Sequence, residues 1–164
     1  MSGGGAVTLG AVQTAGAFTA TSGGDMSFGA ATAEGNVSAT SHSGSVAFSG
    51  AVQGGGNVSV QAANGATLAG GVSSMGNVNV TGTQGNVSVN GVSSNGDTTL
   101  KAGQTLTLSG TSVVAGGLTL TGGNVTMSGS ASVTKNLVAT AQGTLDASQA
   151  SLVTSQNLQL TGAT

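Results

Sequence analysis

Short apolar–polar–apolar phrases recur along the whole chain, separated by glycine and always in the same order. In the stretch GNVNVTGTQGNVSVNGVSSN, from Gly76 to Asn95, two phrases run from Val78 to Val80 and from Val87 to Val89, and a further apolar position follows at Val92. Alternation with period two marks a half-buried strand, and the bounding glycines supply sharp corners. The same spacing excludes an α-helix, which Gly, Val, Thr, Ser and Asn also disfavour.

One phrase begins at Phe18, Val37, Val58, Val78, Thr98, Leu118, Leu137 and Leu158, so it returns every 19 to 21 residues. A second begins at Val7, Met26, Val46, Thr67, Val87, Leu106, Val125 and Leu145, with the same period. A third runs Val12, Thr32, Val52, Val72 and Val92, slips by one to Val113 and Val133, and ends near Leu152. Antiparallel hairpins would not need three separate registers, whereas parallel stacking of each strand on its counterpart one coil away does. The pattern predicts an all-β fold: a right-handed parallel β-helix, a solenoid of about eight coils of about 20 residues with three short strands per coil. Three parallel sheets would enclose a narrow core, and at about 4.8 Å per coil the rod would be roughly 38 Å long.

Within each phrase the period places Val58 and Val60, Val78 and Val80, Leu118 and Leu120, and Leu158 and Leu160 inward. Val46 and Phe48, Val87 and Val89, and Val125 and Met127 join them, while Ser59, Asn79, Thr119 and Gln159 point outward. Residues 1–5, MSGGG, are expected to be a flexible N-terminal segment, and residues 6–164 a single repeat domain belonging to a longer shaft. Open strand edges and apolar core at the ends of such a piece would favour end-to-end self-association.

Composition sharpens this reading. There are 31 glycines and no proline, cysteine, tryptophan or tyrosine, yet 37% of residues are hydrophobic and regularly spaced, which a disordered chain would lack. The charged residues are Asp25, Glu34, Asp97, Lys101, Lys135 and Asp146, and the net charge of -2 offers nucleic acid no basic patch. Stacking itself disfavours charge, because a charge repeated at one position meets its copy about 4.8 Å away. Without cysteine there is neither a disulfide framework nor a Cys-ligated metal. No apolar run approaches a membrane helix, and MSGGGAVTL lacks the basic start and apolar core of a signal peptide.

Candidate chemistry is sparse. His42, in SHSG, reads as a polar turn residue, since a metal site needs further ligands. Asp25 and Asp146 lie about six coils apart, roughly 29 Å, beyond any two-carboxylate site for glycoside hydrolysis. Asp97 and Lys101 share an outward face at a separation of about 13 Å and read as solvated charges. Asn36, Asn57, Asn77, Asn136 and Asn157 precede the first strand, with Asp97 and Gly117 filling the intervening places, so their side-chain amides could hydrogen-bond along a ladder. Asn36, Asn57, Asn79, Asn86 and Asn124 also occupy N-x-[ST] sequons, which the repeat composition itself produces.

An outward column of Thr40, Thr81, Thr121, Thr140 and Thr161 is broken by Gln61 and Lys101. The adjoining column, Ser38, Ser59, Asn79, Thr99, Thr119, Val138 and Gln159, is too varied for a regular ice-binding Thr-x-Thr face. Gly54-Gly55-Gly56 and Gly116-Gly117 read as corners, because neither lysine completes a phosphate-binding phrase. No catalytic, cofactor-binding or metal-ligating residues are expected, and the chain does not read as an enzyme.

GNVSVNG, GNVNVTG, AGQTLTLSG, GGLTLTG and GNVTMSG, set at about 20 residues, resemble the filamentous haemagglutinin repeats of large two-partner-secreted exoproteins. Haemagglutinin-type adhesins and contact-dependent growth-inhibition exoproteins are similar. The resemblance covers nearly all of the chain and implies an extracellular bacterial shaft, secreted or held at the outer membrane, that presents a distal adhesive or toxin module. It further implies an outer-membrane secretion partner, flanking coils of the parent protein, and a host receptor or target-cell surface. No NPNG secretion phrase or toxin-like segment occurs, so the resemblance is to the repeat shaft. The alternative expectation is an adhesin module whose outward polar ladders bind a host receptor or glycan.

Overall fold

The computed structural model describes residues 2–163. They form a parallel β-solenoid of about eight turns, with about 20 residues in each and no helix. Every strand pair is parallel and links a strand to its counterpart one coil away.

The first face is a nine-stranded sheet containing Val58–Ala62, Val78–Gly82 and Thr98–Ala102. Its register runs from Phe18 through Val37, Val58, Val78, Thr98, Leu118 and Leu137 to Leu158, as the periodicity predicts. Ser2–Gly3 extends this sheet by pairing with Thr21 and Ser22.

The second and third faces are not separate sheets. They join into one sheet of 14 strands, because Asn124–Val133 and Leu145–Thr154 each run unbroken for ten residues through the corner between them. In the earlier coils the same corner interrupts the ladder, and φ is positive, between 71° and 85°, at Gly71, Gly91 and Gly110 there and at Gly129 within the unbroken Asn124–Val133. Side chains rarely adopt that left-handed conformation, so glycine is the residue that can turn the chain there.

Four register positions differ from the sequence pattern: those of Thr67, Thr32, Val113 and Val133, the last of which stacks on Val114 while Ala131 takes its expected place between Ser112 and Leu152. Ala66, not Thr67, sits inside between Val46 and Val87. The reason is its neighbour: Leu68 continues the buried column of Phe48 and Val89, and turning Thr67 inward would expose it at a cost of about 1.5–3 kcal/mol. Ala31 likewise takes the inward place expected of Thr32, between Val12 and Val52. Ser112 faces inward and Val113 faces water at 53% exposure, so that Val114 can stack on Val133 inside. The buried Ser112 hydroxyl accepts the N–H of Val92 at 3.2 Å.

The narrow core is filled by one stacked column per inward position. Phe28 lies over Phe48 with ring centroids 4.8 Å apart, and Phe18 meets Phe28 edge-on at 5.5 Å. Leu68, Leu100, Leu118 and Leu120 are fully buried farther along. Buried hydroxyls are bonded, as where Ser94 and Thr98 lie 2.8 Å apart, and no buried side-chain polar atom among the described residues lacks a partner. Leu158 and Leu160 occupy the expected column but remain 48% and 42% exposed, because among the described residues a coil covers them on one side only.

Candidate functional site

Asparagine columns at two corners are the most regular chemical feature of the surface. At the corner before the first face, Asn36 Oδ1 accepts the backbone N–H of Asn57, Asn57 Oδ1 that of Asn77, and Asn77 Oδ1 that of Asp97, each at 2.8 Å. Asp97 continues the series by accepting the N–H of Gly117, also at 2.8 Å. The expected amide-to-amide ladder is therefore a side-chain-to-backbone ladder, with a direct amide contact from Asn157 Nδ2 to Asn136 Oδ1 at 3.2 Å. The corner needs acceptors, because its backbone N–H groups lie outside the sheet.

This chemistry explains the recurring Gly-Asn dipeptide. A Cβ on Gly56, Gly76 or Gly96 would lie 2.1–2.3 Å from the side-chain oxygen of the asparagine one coil before it. Glycine leaves room for the carbonyl, and the following residue donates to it.

A second column, which the strand reading overlooked, precedes the second face. Asp25 accepts the N–H of Ser45 at 2.7 Å, Asn86 that of Thr105 at 3.0 Å, and Asn124 that of Thr144 at 2.9 Å. Its sequence signal is an Asn or Asp immediately before Met26, Val87 and Val125.

The charged groups do not converge. Asp97 and Lys101 are not paired, as expected, but Asp97 is not a wholly solitary charge: Lys135 reaches it, Nζ to Oδ1 at 3.9 Å, from beyond Gly117, which has no side chain to intervene. Both side chains are more than half exposed, so the pair contributes at most about 1 kcal/mol. Asp146 accepts the N–H of Ser148 at 2.9 Å, and hydrogen bonds from the Ser148 backbone and side chain hold its carboxyl below the usual range. His42 is exposed at a bend and lines an open recess of about 360 Å³ with Thr40, Gln61 and Gln84. Among the described residues no three His, Cys, Asp or Glu side chains could jointly hold a metal ion.

The two outward columns of the first face hold their predicted register, Ser38 through Gln159 and Thr40 through Thr161. Of the five sequon asparagines, Asn36, Asn57, Asn86 and Asn124 belong to the corner columns, while Asn79 stands on the first face and accepts the Thr81 hydroxyl at 3.3 Å. No protein-family model, curated protein or solved structure matches the chain.

Proposed function

We propose that the chain is a structural shaft segment of a bacterial surface or secreted exoprotein, holding an adhesive or toxin module away from the cell. The observation that carries this reading is the corner column from Asn36 to Gly117, in which each coil supplies the acceptor that the next coil needs. A unit built in this way extends by repetition, and its outward Ser, Thr, Asn and Gln columns give it a largely uncharged surface. The resemblance to filamentous haemagglutinin repeats supports an extracellular location and export through an outer-membrane partner.

The exposed apolar edge at Leu158 and Leu160 supports end-to-end self-association, in which a second copy covers it. Binding of the labelled chain to host cells and to a glycan array tests the proposal. A shaft gives no saturable signal. Specific, saturable binding would replace it with the adhesin reading, in which the Ser38 and Thr40 columns contact receptor or glycan directly.

A further inference from the structure

Four methionines occur in the chain, and the three in the described segment fall into two environments. Met26 and Met127 are inward core residues, 1% and 2% exposed, whereas Met75 is 72% exposed. Met26 is stacked between Val7 and Val46, and Met127 lies beside Leu108.

Met75 immediately follows the third-face strand Val72–Ser74. Its backbone N–H donates to Gly54 O at 3.1 Å, tying its main chain into the coil stack while the side chain faces out. It borders an open recess of about 260 Å³ with Thr32, Glu34, Gln53, Gly55 and Ser73. Gly55 offers no side chain to cover the thioether, and the surrounding hydroxyl, amide and carboxylate groups suit a hydrated polar product.

From this contrast we propose that Met75 is the oxidant-reactive methionine among the described residues of the folded protein, taking one oxygen atom from a peroxide to become methionine sulfoxide. A sulfur lone pair attacks the outer peroxide oxygen, the O–O bond breaks and an S–O bond forms. Proton transfer to the departing oxygen releases water; sulfur is oxidised by two electrons and peroxide is reduced. The coil is undisturbed, because the new S–O dipole enters solvent and no ladder hydrogen bond involves the side chain. At Met26 or Met127 the same reaction requires the coils to separate first. Oxidation therefore converts the most exposed large apolar side chain among the described residues into a polar one without unfolding the coil stack.

Time-resolved peptide mass spectrometry of the full chain in dilute hydrogen peroxide tests this, with circular dichroism monitoring the fold. Met75 should oxidise more than about tenfold faster than Met26 and Met127. The protein oxidised at Met75 alone should keep its melting temperature, and in Met75→Leu neither Met26 nor Met127 should show fast oxidation. In denaturant the three rates should converge. Comparable rates in the folded chain, a melting temperature lowered by oxidation at Met75 alone, or a difference that survives unfolding would each overturn the proposal.

Discussion

The coils from Asn36 to Gly117 and those beyond it use the same phrases but are sealed differently. In the first run the corner column is continuous, each side-chain oxygen meeting the next coil's N–H. In the second, Gly117 interrupts the column before Asn136 and Asn157 resume it. A register shift between Thr126 and Ser128 then sets the last second-face strand out of step, and Asp146 Oδ1 accepts the Ser148 N–H within that irregular strand. Backbone pairing persists through both regions. Continuity of the side-chain columns, rather than strand pairing or core burial, is what differs between them: Leu118, Leu120, Leu137 and Ala139 are as buried as Val78 and Val80.

The largest test of that contrast lies in the core. Val89 is fully buried in the closed region, so Val89→Asp should cost about 3–5 kcal/mol in thermal or denaturant melts, because the new carboxylate has no partner. Ser88→Asp, outward on the same strand, should cost far less. Leu160→Asp should fall near the Ser88 variant, since Leu160 is already 42% exposed. Equal losses at Val89 and Ser88 would refute the inward and outward assignment, and equal losses at Val89 and Leu160 would contradict the one-sided cover of Leu160.

Smaller changes probe the corner column. Asn77→Ala removes the acceptor of the Asp97 N–H and should lower stability by about 1 kcal/mol. Gly117→Asn should do the reverse, adding roughly 0.5–1 kcal/mol, by giving the Asn136 N–H an acceptor and restricting the unfolded chain. There is space for it: a Cβ at Gly117 meets only ordinary contacts, Asn136 O at 3.4 Å and Asp97 Oδ1 at 3.8 Å. Gly76→Ala, by contrast, should destabilise, because its Cβ would lie 2.3 Å from Asn57 Oδ1. A stability gain at Gly76 or a loss at Gly117 in chemical melts would contradict the column as the organising contact.

The smallest expected effect is that of pH on the last coil. Asp146 has a carboxyl pKa lowered from 3.8 on folding, so its contribution is complete above that value and is lost as pH falls through the lowered one. Melting curves of the wild-type chain and Asp146→Asn should therefore draw together only under acid conditions below the ordinary carboxylate range. A gap that stays constant through that range would exclude the Ser148 hydrogen bonds as its source.

Where large apolar residues fill nearly every place, as from Phe18 to Leu158, the sequence discloses the fold and its register directly. The reading slips at Thr67, Thr32, Val113 and Val133, because alternation leaves the choice of column open until the neighbouring coils resolve it: Leu68 and Val114 need the interior more, and Val133 stacks on Val114. The spacing of the asparagines was legible, but the donor was not, since it is a backbone N–H common to every residue type. The Asp97–Lys135 pair was hidden for a different reason. It spans an intervening coil and depends on the missing side chain of Gly117.

In this solenoid the chain runs around the rod while the hydrogen bonds between coils run along it. Tension applied through the two ends of the chain therefore meets those bonds one coil at a time, peeling rather than shearing the stack. Each coil released shortens the rod by about 4.8 Å but frees about 20 residues, roughly 65–70 Å of extended chain. Under such a pull the solenoid lengthens in successive small yields, dissipating a sudden load before the whole stack gives way.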